Sequence, residues 1–271
     1  MTQPFVSVPA PATTPYRHGL FSASALVDPA DQREFHVGVQ WEPNLVDSPA
    51  PFTTTAASDP DRPPKRLPEG VAVAQAGPVI RLYTGLQADL VGREDHVERA
   101  RARLGLIEQQ SLENYAWTGE PGNKPRLADP ATPVLGTSAV PLAHGIGLLE
   151  EWISDRTGVL GAIWAPRWLA GVMAERSLVR PDSQRMVAPL GDPVIFAHTS
   201  GVGPSGAAPA AGTAWLYATG PVMVRRSAVV GPRLEQAHDR TQNTVFAIVE
   251  RFYTVGWALA AAVQVQVQVP A

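Results

Sequence analysis

The last strand of the chain has the clearest alternation of apolar and polar positions. From Val263 to Val269 valine and glutamine alternate without interruption, and Pro270 ends the run. Successive side chains of a strand point to opposite faces of a sheet, so the pattern predicts a strand with a valine face and a glutamine face. The polar face has no charge, although exposed edge strands are usually protected by charges. We therefore expect this strand to be covered, with its valines packed inward.

A second segment has the apolar spacing of a long helix. Acidic residues stand at its start, where the helix dipole favours negative charge, and "TGEPGNKP" ends it. The pattern predicts a helix over residues 94–117, with a length of about 36 Å at ~1.5 Å per residue. Its apolar face is predicted to contain Val97, Ala100, Leu104, Ile107, Ser111 and Tyr115.

The remaining patterned segments mix helices and strands without a regular βαβ alternation, which indicates the α+β class. Further helices are predicted in "HGIGLLEEWISDRTG", with Gly158 as its C-cap, and in "RWLAGVMAERSLV". Strands are predicted in "HVGVQWEP", "VAVAQAGPVIRLYTGLQAD", "VLGAIWAP", "MVAPLGDPVIFAH", "TAWLYATGPVMVRRSAVV" and "QNTVFAIVERFYTVGWALAAAVQVQVQV". The last of these reads as a long strand pair bent at Gly256.

Two segments have no such pattern. Residues 1–36 begin rich in proline and are predicted to form an extended arm. Residues 44–70 are dense in Pro, Thr, Ser and Asp and predict a long loop or extended hairpin. A loop of this length is uncommon inside a compact domain, so we expect it to reach another surface.

Composition restricts the classes of function. A hydrophobic fraction of 45% and seven tryptophans indicate a folded chain despite 27 prolines. The net charge of −3 gives no global basic field for nucleic acid or an anionic membrane. The absence of cysteine excludes disulfides, thiol catalysis and Cys-ligated metals. No run reaches the roughly 18 apolar residues of a membrane span, and the start lacks the features of a signal peptide.

Candidate chemistry is sparse. The six histidines do not have the spacing of a metal site, and "GVGPSGAAPAAG" lacks the Gly-Lys-Ser/Thr of a phosphate-binding loop. A hydrolase or transferase would have its site around His198 and Ser200, which lie beside this glycine-rich loop.

Two charged pairs have simpler interpretations. Glu150 and Glu151 are adjacent on a helix, so their side chains diverge, and a solvated helix face is predicted. Arg225 and Arg226 are interpreted as a surface or a subunit contact. No residue points by itself to catalysis, and we predict a protein that is not an enzyme and has no cofactor and no metal.

The order of the elements resembles that of tailed-bacteriophage major capsid proteins, whose Hong Kong 97-type shell fold is shared with encapsulins. The resemblance covers residues 36–269. Its most specific segments are "ENYAWTGEPGNKP", "GAIWAPRWLAGVMA" followed by "PLGDPVIF", and "NTVFAIVERFYTVGW". The N-terminal arm does not look like the helical start of encapsulins, which favours a phage protein.

The resemblance implies a division of the chain into the parts of that fold. Residues 1–36 would form an N-terminal arm, and residues 37–76 a strand and the extended E-loop. The peripheral (P) domain would span 77–135 with its spine helix at 94–117. The axial (A) domain would span 136–240, and residues 241–271 would supply late strands that return through the P-domain and end in the sheet.

The implied function is a structural shell protein that self-assembles into the icosahedral capsid around the genome of a tailed bacteriophage. Its partners would be copies of itself in hexamers or pentamers, with scaffold, portal or decoration proteins. Packaged double-stranded DNA would be contacted weakly and non-specifically, and no membrane would be involved. The location would be the virion, assembled in the host bacterial cytoplasm. The alternatives are an encapsulin-like compartment shell, a minor or vertex capsid protein and, remotely, the α+β hydrolase.

Some relatives join their subunits by an isopeptide bond between Lys and Asn, assisted by a Glu. The corresponding positions would be Lys65 in the E-loop, Asn243 before the late strand and Glu250 within that strand. Such chemistry needs a desolvated, neutral lysine and a carboxyl group with a raised pKa.

Overall fold

The computed structural model describes residues 11–43, 45, 73–89, 95–119, 124–231, 238–239, 241 and 244–267. These residues form five helices and fourteen strands. The helices are α1 (Leu20–Ala23), α2 (Glu34–Val37), α3 (His96–Thr118), α4 (Leu142–Thr157) and α5 (Leu169–Glu175). The strands are β1 (Ala25–Val27), β2 (Gln40–Trp41), β3 (Ala74–Gln75), β4 (Ile80–Asp89), β5 (Val140–Pro141), β6 (Ala162–Pro166), β7 (Arg180–Asp182), β8 (Arg185–Val187), β9 (Pro193–Ala197), β10 (Thr213–Thr219), β11 (Met223–Arg226), β12 (His238–Asp239), β13 (Thr244–Gly256) and β14 (Ala260–Gln266).

A seven-stranded sheet has the order β5-β14-β10-β6-β9-β8-β7. The central strands β6 and β9 are buried on both faces, which agrees with their continuous apolar sequences. Helix α4 packs on β14 and β10, and α5 packs on β6, so both helices cover the same face. Helix α4 ends at Gly158, whose φ of 66° provides the left-handed cap expected from the sequence.

A five-stranded sheet has the order β1-β11-β13-β12, and β4 pairs with the other side of β13. The β4–β13 ladder is antiparallel and runs from Ile80 opposite Tyr253 to Asp89 opposite Thr244. Helix α3 packs on β4 and β13. A separate two-stranded sheet joins β2 and β3, with Gln40 opposite Gln75.

Three apolar clusters hold these layers together. One lies between α4, α5 and the near face of the seven-stranded sheet. A second lies between the far face of that sheet, the C-terminal half of α3 and the five-stranded sheet. There the Trp117 and Tyr217 rings meet edge to face with centroids 5.0 Å apart, and both side chains donate hydrogen bonds to the carbonyl of Val202. The third, smaller cluster joins the N-terminal half of α3 to β13.

Strand β14 lies inside the seven-stranded sheet, between β5 and β10. Val263 and Val265 are fully buried beneath α4. The amide of Gln264 donates to the hydroxyl of Thr213 at 3.1 Å, and that of Gln266 to the carbonyl of Ala139 at 3.1 Å. The valine face is buried as expected, whereas on the other face Gln264 is half-buried and Gln266 is exposed. Both edges of the strand are paired within this chain, and its neutral amides bond to neighbouring segments of the same sheet.

Several elements differ from the sequence predictions. Residues 34–37 are helical, so the strand expected at 36–43 is reduced to β2. The extended arm contains α1, β1 and α2. Strands β13 and β14 were expected to be a pair, but they belong to different sheets, as do β10 and β11. Within the described residues, no helix is long and apolar enough to cross a membrane.

Candidate functional site

Exposed apolar side chains mark the surfaces on which this molecule could bind others. Three of them, Val159, Leu160 and Leu190, lie in two adjacent loops, α4–β6 and β8–β9, and we call this group the loop tip. Leu190 is 71% exposed. The two loops meet at Gly191, where an added Cβ would lie 3.9 Å from the Leu160 side chain. A fixed apolar projection of this kind is typical of a protein contact.

Two buried carboxylates fix the loop tip from below. Glu150 accepts a hydrogen bond from the Leu190 N–H at 2.7 Å, and Asp192 accepts one from the Gly161 N–H at 2.8 Å. Burial raises the pKa of both carboxyl groups, and the charge of Asp192 adds to the increase at Glu150. The prediction of a solvated face is therefore wrong for Glu150, because this carboxylate binds a neighbouring loop. Glu151 is exposed as expected.

The second surface is the face of β4 and β13 that points away from α3, which we call the outer sheet face. Alternate residues of β13, including Ala247 and Val249, are buried against the helix. The residues between them point outward, and Ile248 is 48% exposed. On β4 the exposed neighbour is Tyr83, at 64%, which lies opposite Glu250. A tyrosine and an isoleucine exposed on one rigid sheet provide apolar contact area at low entropic cost.

An apolar groove of about 230 Å³ lies beside this sheet. The Phe35 and Phe252 rings line it with centroids 6.3 Å apart. Gln32, His36, Ser227 and Val230 complete its wall.

The N-terminal arm is held by one buried carboxylate of α3. Glu113 accepts hydrogen bonds from the Tyr16 hydroxyl at 2.6 Å, the Leu20 N–H at 2.8 Å and the His198 N–H at 2.7 Å. Burial raises the pKa of Glu113, while the three donors act in the opposite direction. Burial and the Glu113 charge also raise the pKa of Tyr16. The Arg167 guanidinium lies over the Tyr16 ring, 4.1 Å from its centroid. One side chain thus fixes the arm to both α3 and the end of β9.

A partly buried ionic network fixes the next part of the arm. Asp28 pairs with Arg226 and Arg251, and Glu108 of α3 pairs with the same two arginines. The Tyr253 hydroxyl donates to Glu108 at 2.8 Å. Two carboxylates and two guanidinium groups balance in charge, which reduces the cost of burying them.

Arg225 pairs with Glu34 of α2. The interpretation of Arg225 and Arg226 as a surface or subunit contact is therefore corrected, because both arginines bind the arm of their own chain. The sequence did not indicate this, since the partners lie about 190 residues apart in the chain.

The three cross-link candidates are described only in part. Glu250 lies in β13, half-buried, and its backbone forms a bridge to Val230. Lys65 and Asn243 lie outside the described residues.

The residues named for a hydrolase lie at an open polar cavity of about 490 Å³. His198 and Ser200 line it together with side chains of α3, and both are exposed. Within the described part of the chain, no hydrogen bond joins the His198 imidazole to the Ser200 hydroxyl. No group of His, Asp and Glu side chains that could hold a metal was found among the same residues.

Comparisons with known proteins give no match to any family model and none to a curated protein. Solved structures do match over nearly the whole chain. A structure described as the capsid of an empty GTA particle is 12% identical, with a TM-score of 0.58, covering 98% of this chain and 95% of the other.

The chain has a capsid fold. Two phage structures share the same fold. One, from Microbacterium phage Oxtober96, is 15% identical with a TM-score of 0.56, covering 97% of this chain and 95% of the other. One from Mycobacterium phage Adephagia is 13% identical with a TM-score of 0.54, covering 98% and 96%. The α+β capsid fold expected from the order of elements is confirmed, whereas the boundaries between its parts stay a prediction.

Proposed function

We propose that the chain is a structural subunit of an icosahedral capsid that encloses the genome of a tailed bacteriophage. The observation that supports this most directly is the match to the GTA capsid structure, which extends over 98% of this chain and 95% of the other. A likeness over the whole chain means that the capsid fold is the organisation of the entire subunit and not of one inserted part. The proposed role is structural, without catalysis.

The surface is suited to this role. Leu190 at the loop tip and Tyr83 on the outer sheet face are large apolar side chains held on fixed elements. A subunit that contacts several neighbours needs more than one such surface, and these two lie on different sheets. The partners in this proposal are copies of the same chain in hexamers or pentamers, together with scaffold, portal or decoration proteins.

The division into parts is also proposed. The arm would be residues 1–36, the E-loop segment 37–76, the P-domain 77–135 and the A-domain 136–240. Residues 241–271 would be the late strands that return through the P-domain and end in the sheet. Two findings support it: α3 packs on the five-stranded sheet, and α4 and α5 pack on the seven-stranded sheet. The β2–β3 pairing brings Trp41 next to Ala74, so the chain leaves and returns at one place, as a projecting loop requires.

The location follows from the same proposal. The subunit would assemble in the host bacterial cytoplasm and remain in the virion. Contact with the packaged DNA would be weak and non-specific, because a net charge of −3 does not favour phosphate binding.

Electron microscopy of the purified protein tests this function. The chain, expressed alone and with its neighbouring phage genes, should form closed particles of uniform diameter in negative stain. Protein that remains small and monodisperse under both conditions, while folded by circular dichroism, would contradict the proposal. Particles that enclose another protein and no DNA in the native host would instead identify an encapsulin-like compartment.

The covalent cross-link is a separate proposal about the same particles. The neutral Lys65 amine of one subunit would attack the side-chain carbonyl carbon of Asn243 of another, and the amide nitrogen of Asn243 would leave as ammonia. Glu250 would transfer the proton from the amine to this leaving nitrogen. Boiled particles should then give covalent ladders on a denaturing gel, and Lys65→Arg should abolish them. Wild-type particles that run wholly as monomers would refute the cross-link and leave the shell function unaffected.

A further inference from the structure

The edges of the two large sheets are protected very unequally. Strand β7 contains Pro181 between Arg180 and Asp182, and β5 ends at Pro141. Proline and charge at an edge prevent pairing with other strands. Strand β4 differs, because it has ten residues, no proline, and charges only at Arg81 and Asp89. Among the described residues, no strand pairs with the edge of β4 that faces away from β13.

We call the edge of β4 that faces away from β13 the free edge. It presents a regular row of backbone groups that have no strand partner in the part of the chain that the structure describes. The N–H of Val230 donates to the carbonyl of Glu250 at 2.8 Å, and the N–H of Glu250 donates back at 2.9 Å. The backbone groups of Glu250 therefore point away from β4. In an antiparallel ladder the opposite residue, Tyr83, is then in a non-hydrogen-bonded pair, and its own N–H and C=O point to the free edge.

The neighbouring positions agree with this assignment. Phe252 lies opposite Arg81. Its carbonyl accepts a hydrogen bond from the N–H of Ser227, on the side of β13 that faces away from β4. The alternation along the strand then directs the backbone groups of every second residue from Arg81 onward to the free edge. These are the residues whose described side chains belong to the outer sheet face.

The sequence of β4 is complementary to itself in one antiparallel register. If two copies pair about Gly85, Arg81 lies opposite Asp89 of the second copy, Tyr83 lies opposite Gln87, and Gly85 lies opposite Gly85. This register places positions of opposite charge, 81 and 89, opposite each other twice and puts glycine at the axis. A register shifted by two residues in either direction no longer places position 81 opposite position 89. A register centred on Arg81 would place two arginines opposite each other, which is unfavourable.

We propose that β4 pairs antiparallel with β4 of a second copy about a two-fold axis through Gly85. The five-stranded sheet then continues from one subunit into the next. The proposal deepens the shell function and rests on it for the presence of neighbouring copies. A two-fold contact uses the same surface on both subunits, which is the symmetry that the β4 sequence has.

Engineered disulfides test the register directly, since the chain has no cysteine of its own. Opposed residues in a hydrogen-bonded antiparallel pair have Cα atoms about 5.5 Å apart, within the range that a disulfide spans. The double variant Tyr83→Cys with Gln87→Cys should therefore give a covalent dimer on a non-reducing gel after mild oxidation. The single variants Tyr83→Cys and Gln87→Cys should stay monomeric, because each cysteine would face a residue without a thiol.

A charge exchange provides an independent test. Arg81→Asp in the double-cysteine background should reduce the dimer yield at least several-fold. The substitution places two acidic residues opposite each other on each side of the axis. Adding Asp89→Arg should restore the yield. Dimer formation that is unaffected by Arg81→Asp would overturn the register.

The proposed function and the strand pairing can fail separately. Regular particles from the double-cysteine variant without any covalent dimer would overturn the pairing and leave the shell function standing. Folded protein that forms neither particles nor dimers would count against both.

Discussion

Single buried carboxylates hold loops and the N-terminal arm in place where no strand-to-strand hydrogen bonds do so. Glu113 binds two sites in the arm and one in the segment after β9. Glu150 and Asp192 each bind the backbone of a loop that belongs to another part of the sheet. A charge-assisted hydrogen bond contributes roughly twice as much as a neutral one. Such side chains can therefore replace secondary structure where two loops or an arm must be fixed.

The variant Glu113→Gln should destabilise the protein, because an amide presents one acceptor oxygen and one donor where three donors converge. We expect the free energy of unfolding in urea to fall by about 2 kcal/mol, the contribution of hydrogen bonds to a charged group. Tyr16→Phe removes one of the three donors and should cost about half as much. Equal stability of Glu113→Gln and the wild type would show that the arm is held by other contacts.

The carboxyl groups beneath the loop tip should make stability depend on pH. Their pKa values are raised in the folded state, so the folded protein binds protons more tightly than the unfolded chain does. Stability from these groups is therefore gained as the pH falls through their folded pKa values. Urea unfolding at pH 8 and pH 5 should show the wild type gaining stability relative to Glu150→Gln with Asp192→Asn. A difference between the two proteins that is independent of pH would contradict the assignment.

At the scale of elements, α4 lies so close to β14 that one position has no room for a Cβ unless a neighbour shifts. A Cβ at Gly145 would stand 2.3 Å from the Val265 side chain, whereas one at Gly147 would have no atom within 4 Å. The alternation of valine and glutamine predicted the strand and its buried face correctly. It could not predict the helix above it, nor that the glutamines bind Thr213 and Ala139, because those partners are remote in sequence.

Gly145→Ala and Gly147→Ala form a matched pair on this helix. Overpacking at residue 145 should lower the free energy of unfolding by about 1–3 kcal/mol. At residue 147 the same change should be neutral or stabilising by up to about 1 kcal/mol, since alanine is the better helix former. Denaturant unfolding of both variants measures these changes in the free energy of unfolding. Similar effects at both positions would mean that α4 can move away from β14.

The two faces of β14 can be tested in the same way. Val265→Lys places a charge in the core beneath α4 and should prevent folding. Gln266 is exposed, so Gln266→Lys should leave the circular dichroism spectrum and the thermal midpoint close to those of the wild type. Assembly of Gln266→Lys into particles then reports whether neighbouring subunits need this side chain.

At the scale of the whole molecule, the sequence predicted most elements but not the sheets that they join. Strands β10 and β11 follow each other around Gly220-Pro221 yet enter different sheets, and the same is true of β13 and β14 on either side of Trp257. Local patterns determine whether a segment is a strand, whereas its partner depends on packing across the whole chain. Buried Trp164, Tyr217 and Trp257 fill the junction between the sheets. The local sequence pattern could not predict these contacts, because the three residues are far apart in the chain.

The loop tip lies at the surface, outside the apolar clusters that hold the sheets together, so a change there should affect assembly without affecting the fold. Leu190→Asp alters an exposed side chain whose backbone N–H remains bound to Glu150, so thermal stability should change by less than about 0.5 kcal/mol. If the loop tip is a contact between subunits, the charge would be buried without a partner there, and particle yield in negative stain should fall at least tenfold. Gln184→Asp adds the same charge at an exposed turn of the same sheet and should assemble normally. Equal particle yields from the two variants would exclude the loop tip from the subunit contacts and leave the outer sheet face as the surface to test next.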